Sequence, residues 1–185
     1  PSAAASIRRD VERLTTADLL AAYGAWSAHT IEEAVDIALA ASTGKLPAGE
    51  DAIIITPSGG VGIMMADACA EANIALPPLD TTAAEEIRAL LPLASTGNPV
   101  DTTAQVSNDI RLYGQVIDIV ATRADVPILF IFMAHMGKTP SVTDVLKPML
   151  REVAKNHPDR VMAIVTRAAA DFRAEMTDAG FIVFE

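Results

Sequence analysis

The stretch Ile53-Ile54-Ile55-Thr56-Pro57-Ser58-Gly59-Gly60-Val61-Gly62-Ile63-Met64-Met65-Ala66-Asp67 decides how the rest of the chain is read. Three β-branched apolar residues in a row, Ile53 to Ile55, predict a strand buried on both faces. A turn follows at once, built from a hydroxyl, a proline, another hydroxyl and two glycines. The apolar run from Val61 to Ala72 then predicts a helix. A strand that passes through a glycine turn into a helix aims backbone N–H groups at whatever lies beyond the turn. The first N–H groups of a helix have no partner one turn earlier, and the helix dipole adds positive potential there. Without Cβ atoms, Gly59 and Gly60 let a phosphate or carboxylate close on the backbone. Ser58, Gly59, Gly60, Val61 and Gly62 are therefore the expected residues of an anion site, for a phosphate or a carboxylate.

The totals agree with a domain built around such a turn. A chain of 185 residues, 51% hydrophobic and 21% charged, is long and apolar enough for an α/β domain with a sizeable core. Aromatic residues make only 4%, so that core must be Ala, Ile, Leu, Val and Met. A net charge of −10 argues against nucleic acid and against a polybasic membrane surface as partners. One cysteine, Cys69, leaves no internal disulfide and fits a reducing cytoplasm; its place in the helical pattern predicts a small buried residue. No apolar run is long enough to span a bilayer, and no signal-peptide pattern is present. The chain starts at Pro1 and stops directly after a strand-like run, which suggests a piece of a longer polypeptide.

Elements alternate along the chain. Pro1 to Ser6 reads as a frayed tail, and Ile7 to Tyr23 as helical, interrupted near Thr15 or Thr16 and stopped at Gly24. Ala25 to Ala28 reads as a short strand. Thr30 with Glu33 forms a capping-box pattern that opens a helix to about Ala41. After a polar connector come the Ile53 strand and its helix, then a short strand at Ile74-Ala75-Leu76. A helix capped by Thr81 or Thr82 runs to about Leu91. A brief strand lies within the polar loop Ser95 to Thr103, and a helix capped by Asn108 or Asp109 follows. Val126 to Met133 is a long strand, and the helix after it starts at Ser141 or Thr143. Val161 to Val165, a helix from Ala168 to Ala179 stopped by Gly180, and Phe181 to Phe184 complete the order. This β-α-β-α alternation predicts a doubly wound, mostly parallel sheet in three layers, with ligands at the carboxyl ends of the strands. The loops after Ile55, Val100, Met133 and Val165 are the candidates. Residues 1–50 read as a helical lead-in packed on the domain, and residues 51–185 as the domain itself.

Several motifs occur in an order that resembles a known family. Thr56-Pro57-Ser58-Gly59-Gly60-Val61-Gly62, Ala66-Asp67, Leu91-Pro92 and Gly97-Asn98-Pro99-Val100-Asp101 follow one another as in the NDP-forming acyl-CoA synthetases of the succinyl-CoA synthetase superfamily. Gly24, Ile31-Glu32-Glu33 and Ala179-Gly180-Phe181-Ile182-Val183 extend the resemblance over most of the chain. Pro57 stands where the family more often has Asn. The resemblance implies a flavodoxin-like CoA-ligase domain of an enzyme that converts an acid, coenzyme A and ATP to acyl-CoA, ADP and phosphate. It implies acyl-phosphate and phosphohistidine intermediates, with the phosphoryl group between two helix N-termini. It also implies partner CoA-binding and ATP-grasp domains, which bind most of the coenzyme A and the ATP with Mg, and which lie outside this chain.

Ser27-Ala28-His29-Thr30-Ile31 is a near miss to the family's phosphohistidine loop, Ser-His-Thr-Gly. An added Ala, and Ile in place of Gly, argue against His29 as phosphate carrier, so the chain alone is expected to be inactive. Asn98, Pro99 and Asp101 are expected to wall an acyl-phosphate pocket, Asn98 by donating to an oxygen and Asp101 by accepting N–H bonds that orient loops. The alternative is a turn fixed by proline and Asx side chains. His135, Met136, Gly137 and Lys138 form a loop that lies near substrate in the family. There Gly137 would permit close approach and Lys138 would supply a point charge. Arg167 is placed to reach the same rim. His157, before Pro158, is expected at the surface, and Met64-Met65 in the core. Neither His135 nor His157 has acidic or Cys partners at ligand spacing, so no metal site is expected. A second reading is a catalytically silent, regulatory synthetase-like domain, as in acetyltransferase fusions. A third, a flavin or nucleotide binder, is weakened by the low aromatic content.

Overall fold

A computed structural model describes residues 16–185, so the expected tail and the beginning of the first helix lie outside the described residues. The chain divides after Ser42 into two compact units. The first contains helices α1 (Thr16–Ala22) and α2 (Ile31–Ser42). Gly24 ends the first helix at φ 73°, a left-handed conformation that glycine adopts without a steric penalty. The residues expected as a strand, Ala25 to Ala28, are irregular. Thr30 caps α2: its hydroxyl accepts from the Glu33 amide at 3.0 Å, while the Glu33 carboxylate accepts from the His29 amide at 2.6 Å. His29 thus sits in a helix cap, one residue before the threonine.

The second unit, Thr43–Glu185, carries strands β1 (Ala52–Thr56), β2 (Val100–Asp101), β3 (Ile128–Ala134), β4 (Val161–Thr166) and β5 (Ile182–Phe184). Its helices are α3 (Gly59–Glu71), α4 (Thr81–Leu90), α5 (Arg111–Arg123), α6 (Pro140–Asn156) and α7 (Ala170–Asp178). The sheet is wholly parallel in the order β2-β1-β3-β4-β5, the flavodoxin-like arrangement whose strand order reverses between β1 and β3.

Register separates the two faces. Ile53, Ile55, Leu129, Ile131, Met162, Ile164 and Val183 join the core formed with α4 to α7. Each such side chain taken from water contributes about 1.5–3 kcal/mol. Ile54 pairs with Phe130, Phe130 with Ala163, and Val165 with Phe184, so these residues share the opposite face. There α3 packs on β1, and Met65, Cys69 and Ile74 line a groove with Phe130, Val165 and Phe184. Cys69 is buried as expected, and burial pushes its thiol pKa up, away from nucleophilic character. Met64, expected in the core, is instead 71% exposed, because it falls on the outer side of α3.

Other boundaries moved for local reasons. The expected strand at Ile74 to Leu76 shrinks to one bridge, Asp51 with Ala75. The cap of α4 is Asp80, one residue before the expected threonines: its carboxylate accepts from Thr82 at 2.8 Å and Ala83 at 3.2 Å. A single 3-10 turn, Ala104–Ser107, precedes α5, and another, Met136–Lys138, follows β3. Helix α6 begins at Pro140, which needs no N–H partner in a first turn, and continues through Pro148. His157, expected to be exposed, is half-buried at the end of α6, and burial lowers its pKa. Among the described residues, no helix is long and apolar enough to cross a membrane.

Candidate functional site at the carboxyl ends of the strands

The turn between β1 and α3 is fixed by Thr56. Its buried hydroxyl accepts from the Ser58 amide at 3.0 Å and donates to the Ser58 carbonyl at 3.1 Å. Ser58 occupies the N-cap position in extended conformation, yet its side chain makes no capping bond. The Gly62 amide bonds to the Ser58 carbonyl at 2.9 Å, closing the first helical turn. Among the described residues, nothing accepts from the amides of Gly59, Gly60 and Val61. Gly59 and Gly60 are exposed. Of the five expected phosphate-binding residues, three therefore offer free amides. The Ser58 and Gly62 amides are already used, and Ser58 retains only its hydroxyl for a ligand.

The Asn98–Asp101 loop packs directly on this turn. A Cβ on Gly62 would lie 3.1 Å from Thr56 Cγ2 and 3.2 Å from Pro99 Cβ. A Cβ on Gly59 would lie 2.8 Å from Asp101 Oδ2. The two motifs noticed separately in the sequence are thus two halves of one packed unit, and the glycines make room for the protein's own loop as well as for a ligand.

Asn98 does something other than expected. Its Nδ2 donates to the carbonyls of Ala52 (2.8 Å) and Pro77 (2.9 Å), and its Oδ1 accepts from the Ile54 amide at 3.1 Å. The side chain fills the stretch of β1 edge between the Ala75 bridge and β2, where Ile54 would otherwise be unpaired. It is a structural clamp, with no hydrogen left to donate to a pocket oxygen. Pro99 follows through a cis peptide bond and supplies the contact with α3. Asp101 behaves as expected of a loop organiser: Oδ1 accepts from the Thr103 amide at 2.8 Å. Its other oxygen stands beside Gly59, so a carboxylate already resides near the positive end of α3.

Across the reversal point, β3 ends in a register shift between Phe132 and Ala134, and Ala134 adopts φ 47°. The following loop is clipped to β4 by Thr166, a buried threonine. Its hydroxyl donates to the Ala134 carbonyl at 3.0 Å and accepts from the Gly137 amide at 3.2 Å. Gly137 is buried against Thr166 and the Arg167 carbonyl, so its missing Cβ serves that contact and leaves no room for a ligand. Met136 is half-buried in the core, whereas His135 and Lys138 are exposed at the rim. Arg167 is exposed just past β4. The carboxyl ends of β1 and β3 are joined by Tyr113, which is fully buried. Its hydroxyl donates to Phe132 O at 2.6 Å and lies 3.3 Å from Ile55 O. Burial raises its pKa well above the ordinary phenol value, so it stays protonated and a donor.

Sequence reading missed Thr56, Tyr113 and Thr166, three buried polar side chains that shape the rim. The only available signal was a hydroxyl at the end of an apolar strand, for Thr56 and Thr166, and a tyrosine in an apolar helix pattern. Among the described residues, no cluster of three His, Cys, Asp or Glu side chains is placed to hold a metal ion.

This geometry defines a flavodoxin-like α/β domain whose sheet presents an uncapped helix start at its carboxyl edge. Residues 52–156 match the family model described as the Ligase-CoA domain, and the chain belongs to that family. It is similar to the ADP-forming 4-hydroxybutyrate–CoA ligase of Nitrosopumilus maritimus, 29% identical over 148 residues, covering 78% of this chain and 20% of that protein. It also resembles the alpha subunit of the ADP-forming acetate–CoA ligase II of Pyrococcus furiosus, 36% identical over 87 residues, covering 46% of this chain and 19% of the subunit. The chain thus spans about a fifth of these curated relatives. Among solved structures, the dinucleotide forming acetyl-coenzyme A synthetase 1 of Ca. Korarchaeum cryptofilum, in complex with phosphate and ADP, shares the fold. The TM-score is 0.74 at 21% identity, covering 92% of this chain and 38% of that one.

Proposed function

We propose that this chain is the CoA-ligase domain of an NDP-forming acyl-CoA synthetase, and that the start of α3 holds a phosphoryl group during turnover. The net reaction consumes an acid, coenzyme A and ATP and releases acyl-CoA, ADP and phosphate. The phosphoryl group passes from a phosphohistidine to the acid, and the thiol of coenzyme A then attacks the acyl carbon of the acyl phosphate, forming the thioester and releasing phosphate. Coenzyme A and ATP supply the thiol and the phosphoryl group when bound by CoA-binding and ATP-grasp domains elsewhere in the cytoplasmic enzyme. What this chain contributes is charge stabilisation. The amides of Gly59, Gly60 and Val61 have no acceptor among the described residues, belong to a helix start whose two glycines are exposed, and need no reorganisation to meet developing negative charge.

The observation that carries this reading is the uncapped N-terminus itself, in a member of the Ligase-CoA domain family. The departures of Ser27-Ala28-His29-Thr30-Ile31 from the family's Ser-His-Thr-Gly loop support placing the phosphorylated histidine outside this chain. The test uses the complete enzyme. Gly60→Pro removes one of the three amides at a position early enough in the helix to tolerate proline, and Gly60→Ala is the control, because a Cβ there meets nothing within 4 Å. Loss of one preorganised donor lowers kcat by about 10²–10³. Wild-type turnover by the proline variant overturns the reading. A complete protein that forms no ADP from any acid favours the silent, regulatory alternative.

A further inference from the structure

We propose that Tyr113 is a positioning residue for turnover: at the fork where β1 and β3 part, its hydroxyl sets the span between the open start of α3 and the His135–Lys138 loop. That turnover is the reaction it serves rests on the function proposed above; the tie across the fork does not.

Neighbouring strands differ in how far they stay paired. β2 follows β1 to Thr56 and Asp101, and β4 follows β3 to Ala134 and Thr166. β1 and β3 pair only as far as Ile55 and Ile131. These are also the strands between which the order reverses, where a parallel sheet opens a crevice to a ligand. Beyond Ile55, β1 runs into Thr56 and the free amides of Gly59, Gly60 and Val61. Beyond Ile131, β3 runs into a register shift and then into Ala134, His135 and Lys138. The two halves of the rim thus diverge with no ladder between them.

Three buried hydroxyls hold the strand ends. Thr102 donates to the Thr56 carbonyl at 3.2 Å, and Thr166 to the Ala134 carbonyl at 3.0 Å. Each of these reinforces strands that the ladder already joins. Among the described residues, Tyr113 alone reaches across the fork, with Phe132 O at 2.6 Å and Ile55 O at 3.3 Å from one oxygen. Its ring is wholly buried in the core, so that oxygen is held independently of either loop. Removing the hydroxyl takes a donor from the Phe132 carbonyl and leaves two carbonyl oxygens, alike in partial charge, facing one gap. The strand ends then spread, and the start of α3 moves relative to the loop. A misplacement of about 1 Å costs about 10²-fold in rate. Anion binding at Gly59 to Val61 survives, because Thr56 and the Asn98–Asp101 loop shape that turn.

The complete enzyme carries the test. Tyr113→Phe keeps the ring and loses only the oxygen. Val120→Ala, buried in the same helix and away from the fork, controls for lost stability alone. Tyr113→Phe should lower kcat about ten- to a hundredfold, with KM for the acid, ATP and coenzyme A nearly unchanged. Val120→Ala should turn over like the parent despite a lower urea midpoint. Replacing Tyr113 by para-aminophenylalanine, which keeps a donor at the same place, should restore most of the lost rate. In the 185-residue chain carrying Tyr113→Phe, inorganic phosphate should still shift the amides of Gly59 to Val61. Parental kcat in Tyr113→Phe, an equal loss in Val120→Ala, a loss carried by KM, no rescue by the amine, or loss of the phosphate response overturns the proposal. An unaltered enzyme that forms no ADP sinks the function proposed above before any variant is compared, so the two failures are told apart.

Discussion

Two helices of the same unit begin in opposite ways. At the start of α4, Asp80 accepts from two first-turn amides, and these bonds, the one from Ala83 foremost, hold its carboxyl below the ordinary range. At the start of α3, Ser58 stands where a cap belongs, but Thr56 binds the Ser58 main chain, and the next three amides face water. Closing a helix end is readily achieved with a single side chain. Leaving one open at the carboxyl edge of a parallel sheet, held by a strand, a threonine and a packed loop, is what a site for an incoming anion requires. Asp101 sharpens the contrast, since it approaches Gly59 yet spends its other oxygen on Thr103.

The largest test of this contrast removes the scaffold that holds α3 open. Asn98→Ala strips Ile54 of its amide acceptor and two carbonyls of their donor. Urea unfolding should show a loss of about 3 kcal/mol; a loss near zero would mean that the β1 edge does not depend on that side chain. Next in size is Gly62→Val, which drives a branched side chain into Thr56 and Pro99. The expected cost is about 2 kcal/mol by the same measurement. An unchanged midpoint would separate the loop from the helix.

A smaller effect concerns charge. Asp101→Asn removes a negative group beside Gly59 and should tighten phosphate binding about three- to fivefold by calorimetry, the size of one nearby like charge in water. Weaker binding would assign Asp101 to the ligand itself. The smallest is Asp80→Ala at α4. Because the folded carboxyl is held below its unfolded value, its contribution is present above the unfolded pKa and fades as the pH falls through the folded one. The variant should therefore be slightly less stable than the parent at neutral pH and indistinguishable from it in strong acid. A difference that persists in acid would deny the cap its electrostatic origin.

The fold was legible because β1 reads the same at every level: Ile53 to Ile55 can be little but a strand buried on both sides, and the apolar run after the glycines little but a helix, although that helix begins at Gly59 instead of Val61. The parallel order followed from alternation. What could not be read was the side-chain traffic among loops distant in sequence. Asn98 looks like a ligand donor until the gap on the β1 edge between Ala75 and Val100 is known. Gly137 looks like a place for substrate until Thr166, from another strand, is seen beneath it. Met64 and Met65 share one hydrophobicity, but only three-dimensional phase puts one outside. Caps slipped by one residue, Asp80 for Thr81, because Asp and Thr are near-equal choices and the helix start is set by packing of Ala83 and Ala84.

Phosphate titration of the 185-residue chain, followed by amide chemical shifts at both helix starts, bears most directly on the central claim. The account predicts saturable shifts at Gly59, Gly60 and Val61, with Thr82 and Ala83 unmoved behind Asp80. Equal response at the two helices, or none at α3, would contradict it.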